Sequence, residues 1–147
     1  MTRTERALSL FQNGFNCSQA VFASIAGDMG IPEEKALMIS SGFGGGMGRM
    51  SLTCGAVTGA FMALGLREGY FSGETREPKE KIYRLVREFG DAFAAIHGSI
   101  ECRQLLGFDI STPDGFKEAA DSGIFRDRCP RFVHSAVEII EKMLALA

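Results

Sequence analysis

The 147-residue sequence contains no CxxC pair, no sustained apolar/polar alternation, no long apolar run and no basic excess. Each absence removes a class of protein. Without CxxC, a thioredoxin-like exchange motif is not indicated, and without CxxCH neither is covalent haem. Without period-two alternation, strand signals are weak throughout. The longest mostly apolar run, Cys54 to Leu66, falls short of the ~20 residues a membrane-spanning helix needs. A formal net charge of −2 argues against a nucleic-acid partner. No charged leader precedes an apolar stretch, so no signal peptide is read and a cytoplasmic location is expected. Also missing are HExxH, a Ser-His-Asp set and any paired-carboxylate motif.

What remains is an ordinary globular balance. Apolar residues make up 46% and charged residues 23%, which excludes wholesale disorder. The length suits a single domain, residues 1–147, with one core. Helix signals recur along it. Thr2 to Phe11 reads as a short helix. Asn16 reads as the cap of a helix from Cys17 to about Met29, and Pro32 opens another to about Ser41. Thr53 caps a helix from Cys54 to about Arg67. Pro78 opens a long charged one to about Ile96, with favourable i,i+4 pairs at Glu77/Lys81 and Glu80/Arg84. Ser99 caps a short helix to about Leu106, Phe116 to Ala120 suggests one turn, and Pro130 opens the last helix, to about Leu146. The expected fold is all-α, a compact bundle of about six helices.

The four cysteines, Cys17, Cys54, Cys102 and Cys129, are too few for a disulfide scaffold. Their placement is informative. Cys17 follows Asn16, Cys54 follows Thr53, Cys102 stands three residues past Ser99, and Cys129 precedes Pro130. All four are thus expected in the first turn of a helix, where free amides and the dipole favour thiolate. Each also heads an apolar stripe, such as Cys54 with Val57, Phe61 and Leu64, so each should face the core. Arg49, Arg103, Arg126, Arg128 and Arg131 lie nearby and would add to the effect, while Glu101 and Asp127 oppose it.

The glycines at 42, 44, 45, 46 and 48 match neither nucleotide-binding spacing and follow no strand. They read as a loop needing left-handed backbone or close contact, or as an anion nest beside Cys54. Gly55, Gly59 and Ala63 recur every four residues and predict close helix packing, within one monomer core or across a homodimer. The only histidines, His97 and His134, read as surface or satisfied groups, and the methionines as core filler.

In order, the chain carries NCSQAV from Asn16, CGAVTG from Cys54 behind the glycine run, CRQLLG from Cys102 and CP at Cys129. This set resembles the C_GCAxxG_C_C family, a four-cysteine family whose redox role is inferred from its cysteines. The resemblance covers nearly the whole chain and implies that Cys17, Cys54, Cys102 and Cys129 carry the function. Three functions fit the residues. The first is a thiol redox protein cycling a cysteine pair between dithiol and disulfide, with an electron donor or acceptor that the sequence does not name. The second is a binder of zinc or an iron–sulfur cluster through the four cysteines, although their spacings of 37, 48 and 27 residues lack the usual knuckle. The third is a helical interaction module with inert cysteines.

Overall fold

The computed structural model describes residues 1–147 and is all-α, with eight helices in place of the six or so expected. These are α1 (Arg3–Gln12), α2 (Cys17–Ala26), α3 (Glu33–Ser40), α4 (Gly55–Glu68), α5 (Glu77–His97), α6 (Cys102–Leu106), α7 (Pro113–Ser122) and α8 (Ile124–Met143). No helix is long and apolar enough to cross a membrane.

Local chemistry accounts for most of the boundaries. Thr2 and Asn16 each close a capping box, with Glu5 and Gln19 returning the bond, so α1 and α2 start where polar side chains replace missing amide partners. Left-handed Gly98, Gly107 and Gly123 end α5, α6 and α7. The pairs expected within α5 do not form. Lys81 instead meets Glu68 of the preceding helix at 2.9 Å.

Helix α2 is the axis of the core. Ser18 and every residue from Ala20 to Ala26 are buried. It packs most closely on α4, as the small-residue stripe predicts. A Cβ on Gly59 would lie 2.7 Å from the Ser18 carbonyl oxygen, and one on Gly55 would lie 3.3 Å from Cys17 Cβ. Glycine at these positions therefore lets two backbones approach to a distance that alanine would prevent. Helix α8 closes the other side with Val133, Ala136, Val137 and Ile140, all fully buried. Helices α5 and α8 share an aromatic cluster of Phe89, Phe93 and Phe132.

The last helix departs from expectation. It begins at Ile124, so Pro130 lies inside it and Cys129 sits in the second turn, not at a cap. An interior proline removes a backbone hydrogen bond at a cost of ~3 kcal/mol. Tertiary contacts hold the early turns nonetheless. Phe125 packs on Phe116 of α7, with ring centroids 5.6 Å apart, and Arg128 donates to the Leu105 carbonyl at 2.8 Å. Thr112 caps α7 by accepting from the Gly115 amide and Pro113 takes its first position, so α7 runs ten residues where a single turn was expected.

Candidate functional site

The four cysteines, drawn from α2, the start of α4, the start of α6 and the second turn of α8, all line one cavity of about 580 Å³. Cys54, Cys102 and Cys129 are 5%, 7% and 8% exposed. Cys17 keeps part of its surface open, although its sulfur is enclosed by protein. All four are free thiols.

Two pairings organise them. Cys54 and Cys102 are clamped by the backbone. Thr53 and Glu101 form an isolated antiparallel bridge, in which the Cys54 amide donates to the Ile100 carbonyl at 2.8 Å and the Cys102 amide donates to Leu52. Cys54 is itself the cap residue of α4, one place earlier in the helix than its sequence context suggests. Glu101, not Ser99, takes the cap position of α6, and the Ser99 hydroxyl instead accepts from the Glu101 amide. Cys17 and Cys129 meet by side chain. The two side chains lie close enough for each sulfur to alter the other's proton affinity, joining the first turn of α2 to the second turn of α8.

The proton affinities run against the helix-start expectation. No side-chain hydrogen bond of normal geometry caps α4, yet the Ala56 and Val57 amides still favour the Cys54 thiolate. Burial outweighs them and pushes the Cys54 thiol up to about 12. Burial likewise lifts Cys102 to about 11, against a hydrogen bond from Ser51. Cys17 stands well above its ordinary value, first because of its neighbour Cys129 and then through burial. Cys129 alone moves down, because Cys17 stabilises its thiolate by more than burial opposes it. The one sulfur held low is thus the one farthest from a helix start.

None of the arginines near the cysteines in sequence acts on them as a counter-charge. Arg103 turns to Asp109 at 3.4 Å, Arg131 to Asp127 at 3.6 Å, and Arg128 to a carbonyl. Arg49 alone lines the cavity, its guanidinium 4.1 Å above the Phe116 ring.

The glycine loop forms the cavity rim. From Gly45 to Arg49 every residue is left-handed, including Met47 and Arg49, and Ser51 adds another at φ 62. Such a backbone costs non-glycine residues ~1–2 kcal/mol each. The loop is not an open anion nest along its second half, because the amides of Gly48 to Leu52 all donate to backbone carbonyls. Tight clearances explain the glycines. A Cβ on Gly44 would lie 2.5 Å from Asn16 Cβ, and one on Gly46 would lie 2.5 Å from the Leu52 amide and 2.8 Å from Cys102 Cβ.

The histidines stand apart from the cavity wall. His97 shares a 2.9 Å hydrogen bond with Ser135, and burial lowers its proton affinity. Exposed His134 meets Glu138 at 3.4 Å. No group of three His, Cys, Asp or Glu side chains is arranged to hold a metal ion. Ser51 and the cavity aromatics Phe116 and Phe125 escaped the sequence reading, whereas Phe132 stands on the apolar stripe that Cys129 heads, as its i+3 spacing predicts.

A family model described as "Putative redox-active protein (C_GCAxxG_C_C)" matches residues 15–143, and the chain belongs to that family. No curated protein and no solved structure matches it.

Proposed function

We propose that this member of the family is a thiol–disulfide redox protein whose working pair is Cys17 and Cys129. The observation that carries the reading is the juxtaposition of these two sulfurs at the wall of one cavity, with the proton affinity of Cys129 below its ordinary value and that of Cys17 above it. In the step proposed, the Cys129 thiolate attacks one sulfur of a substrate disulfide, RSSR. A Cys129–S–S–R bond forms, and RS⁻ leaves. The Cys129 charge is then gone, and with it the interaction that held the Cys17 proton. Cys17 passes its proton to the departing thiolate and attacks the Cys129 sulfur. The Cys17–Cys129 bond closes and the second RS⁻ leaves. Two electrons pass from the protein dithiol to RSSR, giving two RSH after protonation. Cys54 and Cys102, with affinities near 12 and 11, remain thiols at neutral pH and stand in reserve.

A second reading, zinc or iron–sulfur binding, draws support from the four sulfurs sharing one cavity and is weakened by the lack of any three-ligand group. One experiment addresses both. Anaerobically purified protein is analysed for metal and visible absorption, then equilibrated in graded redox buffers and peptide-mapped. The redox reading expects thiols lost two at a time, with Cys17–Cys129 the first bridge, and roughly a 10³-fold slower reaction with RSSR in Cys129→Ser. Thiol counts that stay constant across the buffers overturn it. Stoichiometric metal released on cysteine substitution favours the second reading.

A further inference from the structure

The cavity holds more than the sulfurs. Its volume of about 580 Å³ falls in the range of small-molecule sites and far below what a folded protein surface would occupy. Three of the four cysteines lie less than a tenth exposed at its wall. A disulfide on another folded protein therefore meets the rim before it meets the thiols, whereas a small disulfide can enter. The wall is largely apolar and aromatic, with Phe116, Phe125 and Phe132 contributing.

One charge breaks that apolar lining. Arg49 is the only charged residue in the wall, and no acidic group accompanies it. It makes no ion pair with any carboxylate of the chain, unlike Arg3, Arg6, Arg103 and Arg131. Its guanidinium rests over Phe116, which orients the planar fork without using its donors. Its backbone holds a left-handed conformation at φ 62, fixed by the hydrogen bond that its N–H donates to the Gly44 carbonyl. A strained, oriented cation with free donors at the mouth of an apolar pocket is built to receive a carboxylate.

We propose, on the basis of the thiol-redox reading, that the cavity is a substrate site for small anionic disulfides. Arg49 binds a substrate carboxylate while the aromatic wall takes the aliphatic stem and the disulfide reaches Cys129. The electron balance is that of the dithiol step already written, with the anionic disulfide as oxidant.

The test uses fully reduced full-length protein and three disulfides of similar size. These are 3,3′-dithiodipropionate (anionic), its diamide (neutral) and cystamine (cationic). The expected order of oxidation rate is anion, diamide, cystamine, with the anion about tenfold ahead of the diamide. In Arg49→Gln that ratio falls to about one. Arg49→Lys keeps part of it, and Arg103→Gln, whose charge faces Asp109 outside the cavity, keeps all of it. A ratio unchanged by Arg49→Gln overturns the inference. A second readout needs no electron transfer. Suberate, of the same length without sulfur, should slow alkylation of Cys129 in the parent protein and not in Arg49→Gln. If no probe oxidises the protein yet suberate protects in an Arg49-dependent way, the redox reading fails and the anion site stands. If all three probes oxidise it at equal rates, the redox reading stands and the anion site fails.

Discussion

Cys17 and Cys129 meet through side chains brought from opposite ends of the chain, while Cys54 and Cys102 are tied by a two-residue backbone bridge. The second pair has the better local credentials for thiolate, since Cys54 caps a fourteen-residue helix with two amides in support. It is nevertheless the pair driven up to about 12 and 11. Cys129, in the second turn of its helix, is the one driven down. The difference teaches that at a buried wall two helix-end amides do not offset desolvation, whereas a neighbouring sulfur divides the proton affinities of a pair in opposite directions. Position in the helix sets where a sulfur stands, and the partner sets its charge.

The sharpest way to break this comparison is differential labelling at neutral pH. A gap of three or more pK units makes ~10³ in thiolate fraction, and lower nucleophilicity returns about half of that in the exponent. Cys129 should therefore react with iodoacetamide about 30-fold faster than Cys54 in the reduced protein. Peptide mapping that finds Cys54 labelled first would invert the assignment.

The two pairs can also be disturbed separately through the glycine rim. Gly46→Ala forces a Cβ against the Leu52 amide and Cys102 in a left-handed backbone, and should cost about 3 kcal/mol. Gly44→Ala meets only the Asn16 side chain, in a backbone any residue adopts, and should cost about 1–2 kcal/mol. Denaturant melts check the magnitudes. Disulfide mapping checks the division, with the Gly46 variant altering Cys102 accessibility and the Gly44 variant altering Cys17–Cys129 closure. Identical effects on both pairs would show that the cavity responds as one unit.

Per pH unit, the effect of alkali is gentler. The Cys54 thiol rises from an ordinary 9.0 to about 12 on folding, so between those values the native state keeps a proton the unfolded chain has lost. Stability supported by that proton is complete below pH 9 and falls toward pH 12, by up to about 1.4 kcal/mol per unit. Cys54→Ala should flatten the slope by that amount. Cys129, shifted the other way, gives the opposite sign, so stability gained from it appears as pH rises through its lowered value. Equal alkaline slopes in the parent and Cys54→Ala would remove the contrast between the pairs.

Much of this architecture is legible in the residues. Asn16 announces the start of α2, and Gly55 and Gly59 announce the close packing, while the sequence leaves open whether the four cysteines share the one cavity they line. The missed features depend on contacts distant in sequence. Pro130 resembles a helix start, yet Phe125 on Phe116 and Arg128 on Leu105 stabilise two turns ahead of it. Which sulfurs pair depends on how α2 and α8 face each other, and no spacing encodes that. Ser99 resembles a cap more than Glu101 does, but the strand-like bridge to Thr53 fixes where α6 begins. Arg49 looked like one more cation beside a thiol, and only the arrival of Phe116 gives it a distinct place.

The meeting of α2 with α8 has a topological consequence. A covalent link from Cys17 to Cys129 would turn more than a hundred residues into a closed ring, and chain-entropy arguments give ~4–5 kcal/mol for rings of that size. The oxidised protein would then outlast the reduced one on heating. Every reduction would release that reserve of conformational freedom, so electron transfer at this cavity and the durability of the whole fold would be thermodynamically linked.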